Sequence, residues 1–321
     1  MAVYTDITEG ELRHFLQTYE LGDLLSYRGI AEGVENSNFI VHLERGEFIL
    51  TLYEKRVNEE DLPFFIGLMD HLAAKGFACP RPVKRQDGTV IGHLAGRPAA
   101  MVTFLEGVWP REPSVVHCAE AGAALAQMHL AVADYEGYRR NALTLPDWRP
   151  LFEQVGDKAD EVIDGLAEET RAMLDRLEAE WPTDLPSGVI HADAFPDNVF
   201  FLGDRFSGLI DFYFACNDLF AYDVAVALNA WCFDADHRFD RQKSAAMLDA
   251  YQRVRPLSDD ERKALPALCR GAATRFMLTR LYDWIHTPAD ATVTKKDPRQ
   301  PLAWMRYHAA ASGPGAYGLN A

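Results

Sequence analysis

His191-Ala192-Asp193-Ala194-Phe195-Pro196-Asp197-Asn198 is the stretch whose reading decides the fold, together with the adjoining Val199-Phe200-Phe201-Leu202, a Gly203-Asp204 turn, and a second run from Ser207 to Phe212. Two short β-rich runs around a glycine turn predict a hairpin. Asn198 precedes the first strand and Asp211 follows the second, so antiparallel pairing brings both to the same end, with Asp193 on the adjoining loop. An amide oxygen and a carboxylate on a rigid support suit a hard divalent cation such as magnesium, which takes one or two protein ligands and completes its shell with phosphate oxygens. A further carboxylate that the metal does not need, Asp193, can accept the proton of an attacking hydroxyl. These are the parts required for in-line phosphoryl transfer from magnesium ATP. His191 is read as orienting the loop by hydrogen bonding. The bland alternative makes Asp193 and Asp197 turn residues, Asn198 a strand cap and Asp211 a surface carboxylate. The compound pattern H-x-D-x-x-x-x-N, hairpin, apolar-apolar-Asp-Phe carries too many independent constraints to favour it.

Upstream, the first hundred residues read mainly as strands. Residues 39–43 and 48–53 flank Glu44-Arg45-Gly46-Glu47, a hairpin signature, and a meander is expected over 82–86, 89–94 and 98–104 with a turn at Asp87-Gly88. One helix covers this sheet: Asn58 can cap it, Leu62, Phe65, Ile66, Met69, Leu72 and Ala73 form its apolar stripe, and Gly76 ends it. Beyond Glu106-Gly107-Val108-Trp109-Pro110, a linker, the pattern turns helical. Helices are predicted over 114–133, 157–181, 219–232, 238–254 and 299–311, and a capping box at Ser258 to Glu261 opens one that runs to about Trp284. Asp218 reads as a helix cap and Asp223 as structural, His129 as a buried, hydrogen-bonded histidine, and Trp148, Trp231 and Trp284 as packing anchors. The fold class is therefore α+β, with lobes at residues 1–105 and 106–321.

Length and composition agree. The chain's 321 residues favour two domains, and 48% hydrophobic with 25% charged residues is ordinary globular usage. A net charge of −16 argues against nucleic acid and anionic membrane surfaces. Five scattered cysteines with no C-x-x-C pair indicate neither a disulfide framework nor a thiolate zinc site. The N-terminal stretch lacks a signal-peptide pattern, and no apolar run approaches the ~20 residues of a membrane span. The expectation is a soluble, cytoplasmic protein, with a monomer favoured and the oligomeric state left open.

The chain resembles the kinase fold in its small-molecule branch, that of aminoglycoside phosphotransferases and choline kinases, and within it the type II homoserine kinases. The likeness rests on Gly33-Val34-Glu35-Asn36-Ser37-Asn38-Phe39, on Phe48-Ile49-Leu50-Thr51-Leu52-Tyr53-Glu54, on the His191 to Asn198 loop and on Thr274-Arg275-Phe276, and it spans nearly the whole chain. The resemblance implies a protein-kinase-like, two-lobed fold with ATP in the cleft. It implies Asp193 as catalytic base, Asn198 and Asp211 as magnesium ligands, and residues 29–38 as the loop over the phosphates, with Gly29 and Gly33 allowing close backbone approach beside Asn36 and Ser37. Residues 101–105, including Met101 and Thr103, would lie beside the adenine. One departure is plain: the strand position that carries a lysine in kinases holds Thr51. Lys55 lies four residues on, about 13 Å along a strand, and Arg28 precedes the loop.

The implied activity is phosphorylation of the hydroxyl of L-homoserine, a reaction of threonine biosynthesis. That small molecule needs partners for a carboxylate and an ammonium. Arg275 or Arg280 could supply the first, unless Arg280 pairs internally with Asp283, and Asp197 could supply the second. The rival readings are another kinase of this branch, acting on an aminosugar, choline or methylthioribose, and a pseudokinase that binds nucleotide without transfer.

Overall fold

The computed structural model describes residues 5–30, 36–54, 58–288 and 295–319. Two compact units account for the chain: Met1–Gly107 with Tyr135–Gly137 and Ser207–Tyr213, and Val108–Asp134 with Tyr138–Phe206 and Phe214–Ala321.

The first unit is an antiparallel five-stranded sheet built from β1 (Leu24–Gly29), β2 (Ser37–Leu43), β3 (Gly46–Leu52), β4 (Gly92–Leu94) and β5 (Arg97–Thr103), in the order β1-β2-β3-β5-β4. On β2, inward and outward residues alternate, and Phe39, Val41 and Leu43 join Leu50, Leu52 and Met101 in the core. This is the period-2 pattern of a half-buried strand. The covering helix is α2 (Leu62–Ala74), entered through a 3-10 turn that Asn58 caps, and the chain leaves it through Gly76 at φ +80°. Two elements were not expected. A short helix, α1 (Glu9–Leu16), opens on a capping box between Thr8 and Glu11 and buries Leu12, Phe15 and Leu16 in the sheet's core. The edge strand β1 buries only Leu24 and so shows little alternation. The expected strand over 82–86 is absent apart from a bridge from Pro82 to Val102, although the turn at Asp87-Gly88 forms. Pro80 and Pro82 remove donors that a ladder would need.

The second unit is mostly helical. Its helices are α3 (Val115–Ala131), α4 (Leu145–Glu153), α5 (Leu166–Glu180), α6 (Phe220–Trp231), α7 (Arg241–Val254), α8 (Asp259–His286) and α9 (Arg299–Ala310). The capping box of Ser258 and Glu261 opens α8 as its spacing predicts. The helix expected over 157–181 is broken: residues 156–161 are 3-10, Gly165 takes φ +74°, and α5 begins only after it. Close approach explains two small residues. A Cβ on Gly122 of α3 would lie 2.3 Å from the Met247 carbonyl oxygen on α7, and one on Gly271 of α8 would lie 2.2 Å from the Trp181 ring. Of the two remaining ribbons, β6 (Ser187–Ile190) pairs with β9 (Cys216–Leu219) inside this unit, and β7 (Val199–Leu202) pairs with β8 (Arg205–Leu209), whose last three residues are counted with the first unit. Asp218 lies in β9, where its carboxylate accepts from the Asn141 amide at 2.6 Å, and so is not the cap of α6.

Candidate active site

The loop that leaves β6 is pinned at every turn by buried groups of the second unit. Ala192 sits at φ +62°, a left-handed conformation that a non-glycine residue holds only where its surroundings enforce it. They do so from both sides. The N–H groups of His191 and Ala192 both donate to the Asp223 carboxylate at 2.8 Å. The Ala192 carbonyl accepts from Arg275 Nη1. The Trp231 indole N–H donates to the Ala194 carbonyl at 2.7 Å.

Asp223 is fully buried and is also held by His129 at 3.0 Å. Burial raises the Asp223 pKa, but the hydrogen bond and electrostatic pull of the His129 ring and those of His191 outweigh it and hold the carboxyl below its usual range. Burial pushes His129 down, against the pull of Asp223. A neutral His129 then donates from Nε2 to Asp223 and accepts at Nδ1 from the Tyr251 hydroxyl at 2.7 Å, a tautomer fixed by its partners. Sequence reasoning left Asp223 as merely structural. Nothing in its own helix signals that it holds a loop 31 and 32 residues away.

Asp193 projects from this framework. Its N–H donates to His191 Nδ1 at 3.3 Å, the loop-orienting role read from the sequence. Asn198 Nδ2 donates to the Asp193 carbonyl at 2.9 Å and to its carboxylate at 3.2 Å. Burial raises the Asp193 pKa, offset in part by Arg275, His191 and Lys296. Asn198 Oδ1 accepts from none of the described residues. Asp197 is exposed on the 3-10 turn that follows Phe195. Arg275 is buried against the loop, between the Phe214 and Phe276 rings. Arg280 is buried over Trp304 and turns to the 297–300 segment, donating to Gln300 Oε1 at 2.7 Å. The aromatic anchors also divide: Trp148 and Trp231 are fully buried, while Trp284 is partly exposed under Arg299.

In the first unit, Gly29 ends β1 opposite Phe39. Gly33 and Lys55 lie outside the described residues. Asn36 and Ser37 are buried and bonded to Glu54: Asn36 Oδ1 accepts the Glu54 N–H at 3.2 Å, and the Ser37 hydroxyl donates to Glu54 Oε1 at 2.8 Å. Met101 is buried opposite Leu50, its carbonyl accepting from Val83, and Thr103 exchanges backbone and side-chain bonds with Arg81. Thr51 donates to Asn38 Oδ1 at 2.8 Å, so no cation occupies that strand position, and Arg28 is exposed on β1. The Tyr213 hydroxyl bonds Tyr53 at 3.1 Å. Burial, offset by its bonds to Tyr53 and Thr51 and reinforced by Asp211, pushes Tyr213 up to about 12. Asp211 itself is exposed at φ +63°, a second strained non-glycine position.

Among the described residues, no three histidine, cysteine, aspartate or glutamate side chains gather as a metal cage. Taken singly, the Asn198 amide oxygen in the second unit and the Asp211 carboxylate in the first are each a hard oxygen donor of the kind that divalent cations take.

The profile of the phosphotransferase enzyme family matches residues 26–257. The chain is 63% identical to a homoserine kinase of Brucella ovis over 320 residues, covering all of this chain and 98% of the relative. The chain belongs to the phosphotransferase enzyme family, in its homoserine kinase branch. Among solved structures, this phosphotransferase is similar to the amicoumacin kinase hAmiN in complex with AMP-PNP, calcium and its ligand. That match has a TM-score of 0.72 and 13% identity, over 95% of this chain and 94% of the other. A choline kinase from Cryptosporidium parvum gives a TM-score of 0.69 and 12% identity over 94% of each chain. At such identities the likeness is one of fold, and it bears out a kinase-like architecture with a small sheet-and-helix lobe and a mostly helical one. The added α1 belongs to the first. Among the described residues, no helix is long and apolar enough to cross a membrane.

Proposed function

We propose that this phosphotransferase moves the γ-phosphoryl group of ATP to the side-chain hydroxyl of L-homoserine, in threonine biosynthesis. The observation that carries the reading is the whole-chain similarity to a homoserine kinase, end to end at 63% identity. Asp193 accepts the hydroxyl proton as oxygen attacks phosphorus. Its raised pKa makes it a stronger base, and Asn198 fixes its orientation. Magnesium is the proposed cation, which Asn198 before β7 and Asp211 after β8 would hold from the open end of the hairpin; when bound it would neutralise phosphate charge. Gly29 and Gly33 let the backbone approach the phosphates, with Asn36 and Ser37 bracing that loop through Glu54, and Met101 and Thr103 border the adenine. Residues 1–105 then form the nucleotide lobe and 106–321 the catalytic and acceptor lobe. Asp197 faces the acceptor's ammonium, and a buried arginine its carboxylate. The net charge of −16 supports a small-molecule substrate over a polyanion, and we place the enzyme in the cytoplasm as a monomer.

The test is magnesium-dependent ADP release with L-homoserine, kanamycin, choline and methylthioribose as acceptors. L-Homoserine is expected to have the highest kcat/KM. Preference for any of the others replaces the acceptor, and ATP binding without release to any acceptor makes the chain a pseudokinase.

A further inference from the structure

We propose that Arg280, and not Arg275, holds the carboxylate of the acceptor amino acid and is the residue by which the site rejects amino alcohols and aminosugars that lack one. The inference rests on the function proposed above and assigns the recognition to one side chain.

Both arginines are buried, at 2% exposure for Arg275 and 8% for Arg280, and a buried guanidinium is stable only when its charge and its donors are answered. Arg275 is answered by the loop. Its Nη1 donates to the Ala192 carbonyl, and the rings of Phe214 and Phe276 lie over the guanidinium at 5.4 and 4.6 Å. Its Nε lacks an acceptor, but the residue is only 2% exposed and its Nη1 is already committed to the loop.

Arg280 is answered only in part. Nη1 bonds two neutral oxygens, Gln300 Oε1 at 2.7 Å and the Asp297 carbonyl at 3.4 Å. Nε is buried without an acceptor, Nη2 bonds none of the described residues, and among those residues no carboxylate lies within ion-pair distance. The indole beneath it, Trp304, has its Nε1 buried without an acceptor as well, with the guanidinium 5.6 Å from its ring centre. Two neighbouring side chains with orphaned buried donors are rare in folded proteins and call for a missing acceptor. A carboxylate carries the right charge and two acceptor oxygens.

Position supports the same reading. Phe195, between Asp193 and Asp197 in the loop, packs its ring 6.4 Å from Trp304 and 4.8 Å from Phe276, so Arg280 borders the wall on which the proposed base sits. Arg280 also feels the charges of Asp193, Asp297 and Asp197 without an ion pair to any of them. In the proposed arrangement the acceptor turns its hydroxyl toward Asp193, its ammonium toward Asp197 and its carboxylate to Arg280.

The experiment compares L-homoserine with 3-aminopropan-1-ol, which keeps hydroxyl and ammonium and lacks only the carboxylate. Wild-type enzyme is expected to prefer L-homoserine by about a thousandfold in kcat/KM, since truncating one partner of a buried charged contact is costly. In Arg280→Gln the L-homoserine KM rises about a hundredfold while 3-aminopropan-1-ol turnover and the ATP KM stay within threefold, so the preference falls to about tenfold. Both acceptors are measured on one preparation, so any inactive fraction cancels. Arg280→Lys, which keeps the charge, supplies the ratio if the glutamine variant does not fold, and is expected to lose about tenfold. Arg275→Lys keeps the wild-type ratio. The assignment is overturned if Arg280→Gln keeps the preference, if Arg275→Lys alone abolishes it, or if wild-type enzyme shows none. Failure of wild-type enzyme to phosphorylate L-homoserine at all strikes the proposed function itself, a result distinct from these.

Discussion

His129 Nε2 and the Asp223 carboxylate lie 3.0 Å apart with both side chains fully enclosed, and the same carboxylate takes the N–H groups of His191 and Ala192. Helices α3 and α6 thereby grip the backbone just before Asp193. Tyr251 extends the chain of bonds to α7, and Arg255 links the Tyr251 hydroxyl to Glu261 in the capping box of α8.

Asp223→Asn turns one accepting oxygen into an amide donor that faces an N–H or His129. The variant is expected to lose about 3 kcal/mol of unfolding free energy, because a buried charged contact loses one partner, and to lose activity with it. Urea denaturation beside steady-state kinetics checks this. Wild-type stability in the variant means that the loop does not depend on Asp223.

Asp193→Asn preserves shape and removes the proton acceptor. Turnover is expected to fall about 10²- to 10⁴-fold, while the ATP dissociation constant, measured by calorimetry, stays unchanged. Turnover within threefold of wild type removes Asp193 from the role of base.

The two hairpins and most helices were legible because their signals are local: a glycine turn between β-rich runs, a capping box, a 3.6-residue stripe. The elements that were missed carry weak local signals. Strand β1 sits at an edge with one buried residue, and β6 and β9 are four residues each, paired across the loop and hairpin of residues 191–215. The capping box of α1, Thr8 to Glu11, was present to be read. Within the site, Asp193 and Asn198 could be found from spacing, and the structure joins them by hydrogen bonds. The grip of Asp223 and Trp231 on the loop could not, because their partners are backbone groups brought close only by tertiary packing. For the same reason the sequence left Arg275 and Arg280 as equals.

Stability should depend on pH through His308. Burial lowers its pKa to about 3 from an ordinary 6.5, and it bonds Asn229 and Tyr317 as a neutral ring. As pH falls below 6.5 the unfolded chain binds this proton first, so the contribution is intact above 6.5 and is lost between 6.5 and about 3. The slope is about 1.4 kcal/mol per pH unit for one such group, and His129 shifts in the same direction. Denaturant unfolding at a series of pH values should show His308→Gln with a flatter profile over this window. An equally steep profile assigns the dependence elsewhere.

Asn198→Ala and Asp211→Ala are expected to raise the magnesium concentration for half-maximal activity, since each removes a proposed ligand from a cation that takes few from protein. A magnesium titration of each variant reads this directly. If neither curve moves, the hairpin ends are structural.

Arg275 is a positioning residue whose effect should appear in turnover rather than in acceptor affinity. It braces the strained Ala192 from the carbonyl side, opposite Asp223 on the amide side, and its flat guanidinium lies against the Phe214 and Phe276 rings. Lysine keeps the charge but has neither the planar face nor the fork of donors. Arg275→Lys therefore frees the loop to relax toward an ordinary backbone conformation and shifts Asp193 from its line of attack. A displacement of about 1 Å at a reacting group costs on the order of 10²-fold in rate. The expected result is a kcat reduced by about that factor, with the KM values for L-homoserine and ATP within threefold of wild type. A KM for L-homoserine that rises far more than kcat falls would mean that Arg275 touches the acceptor, and that the loop is held without it.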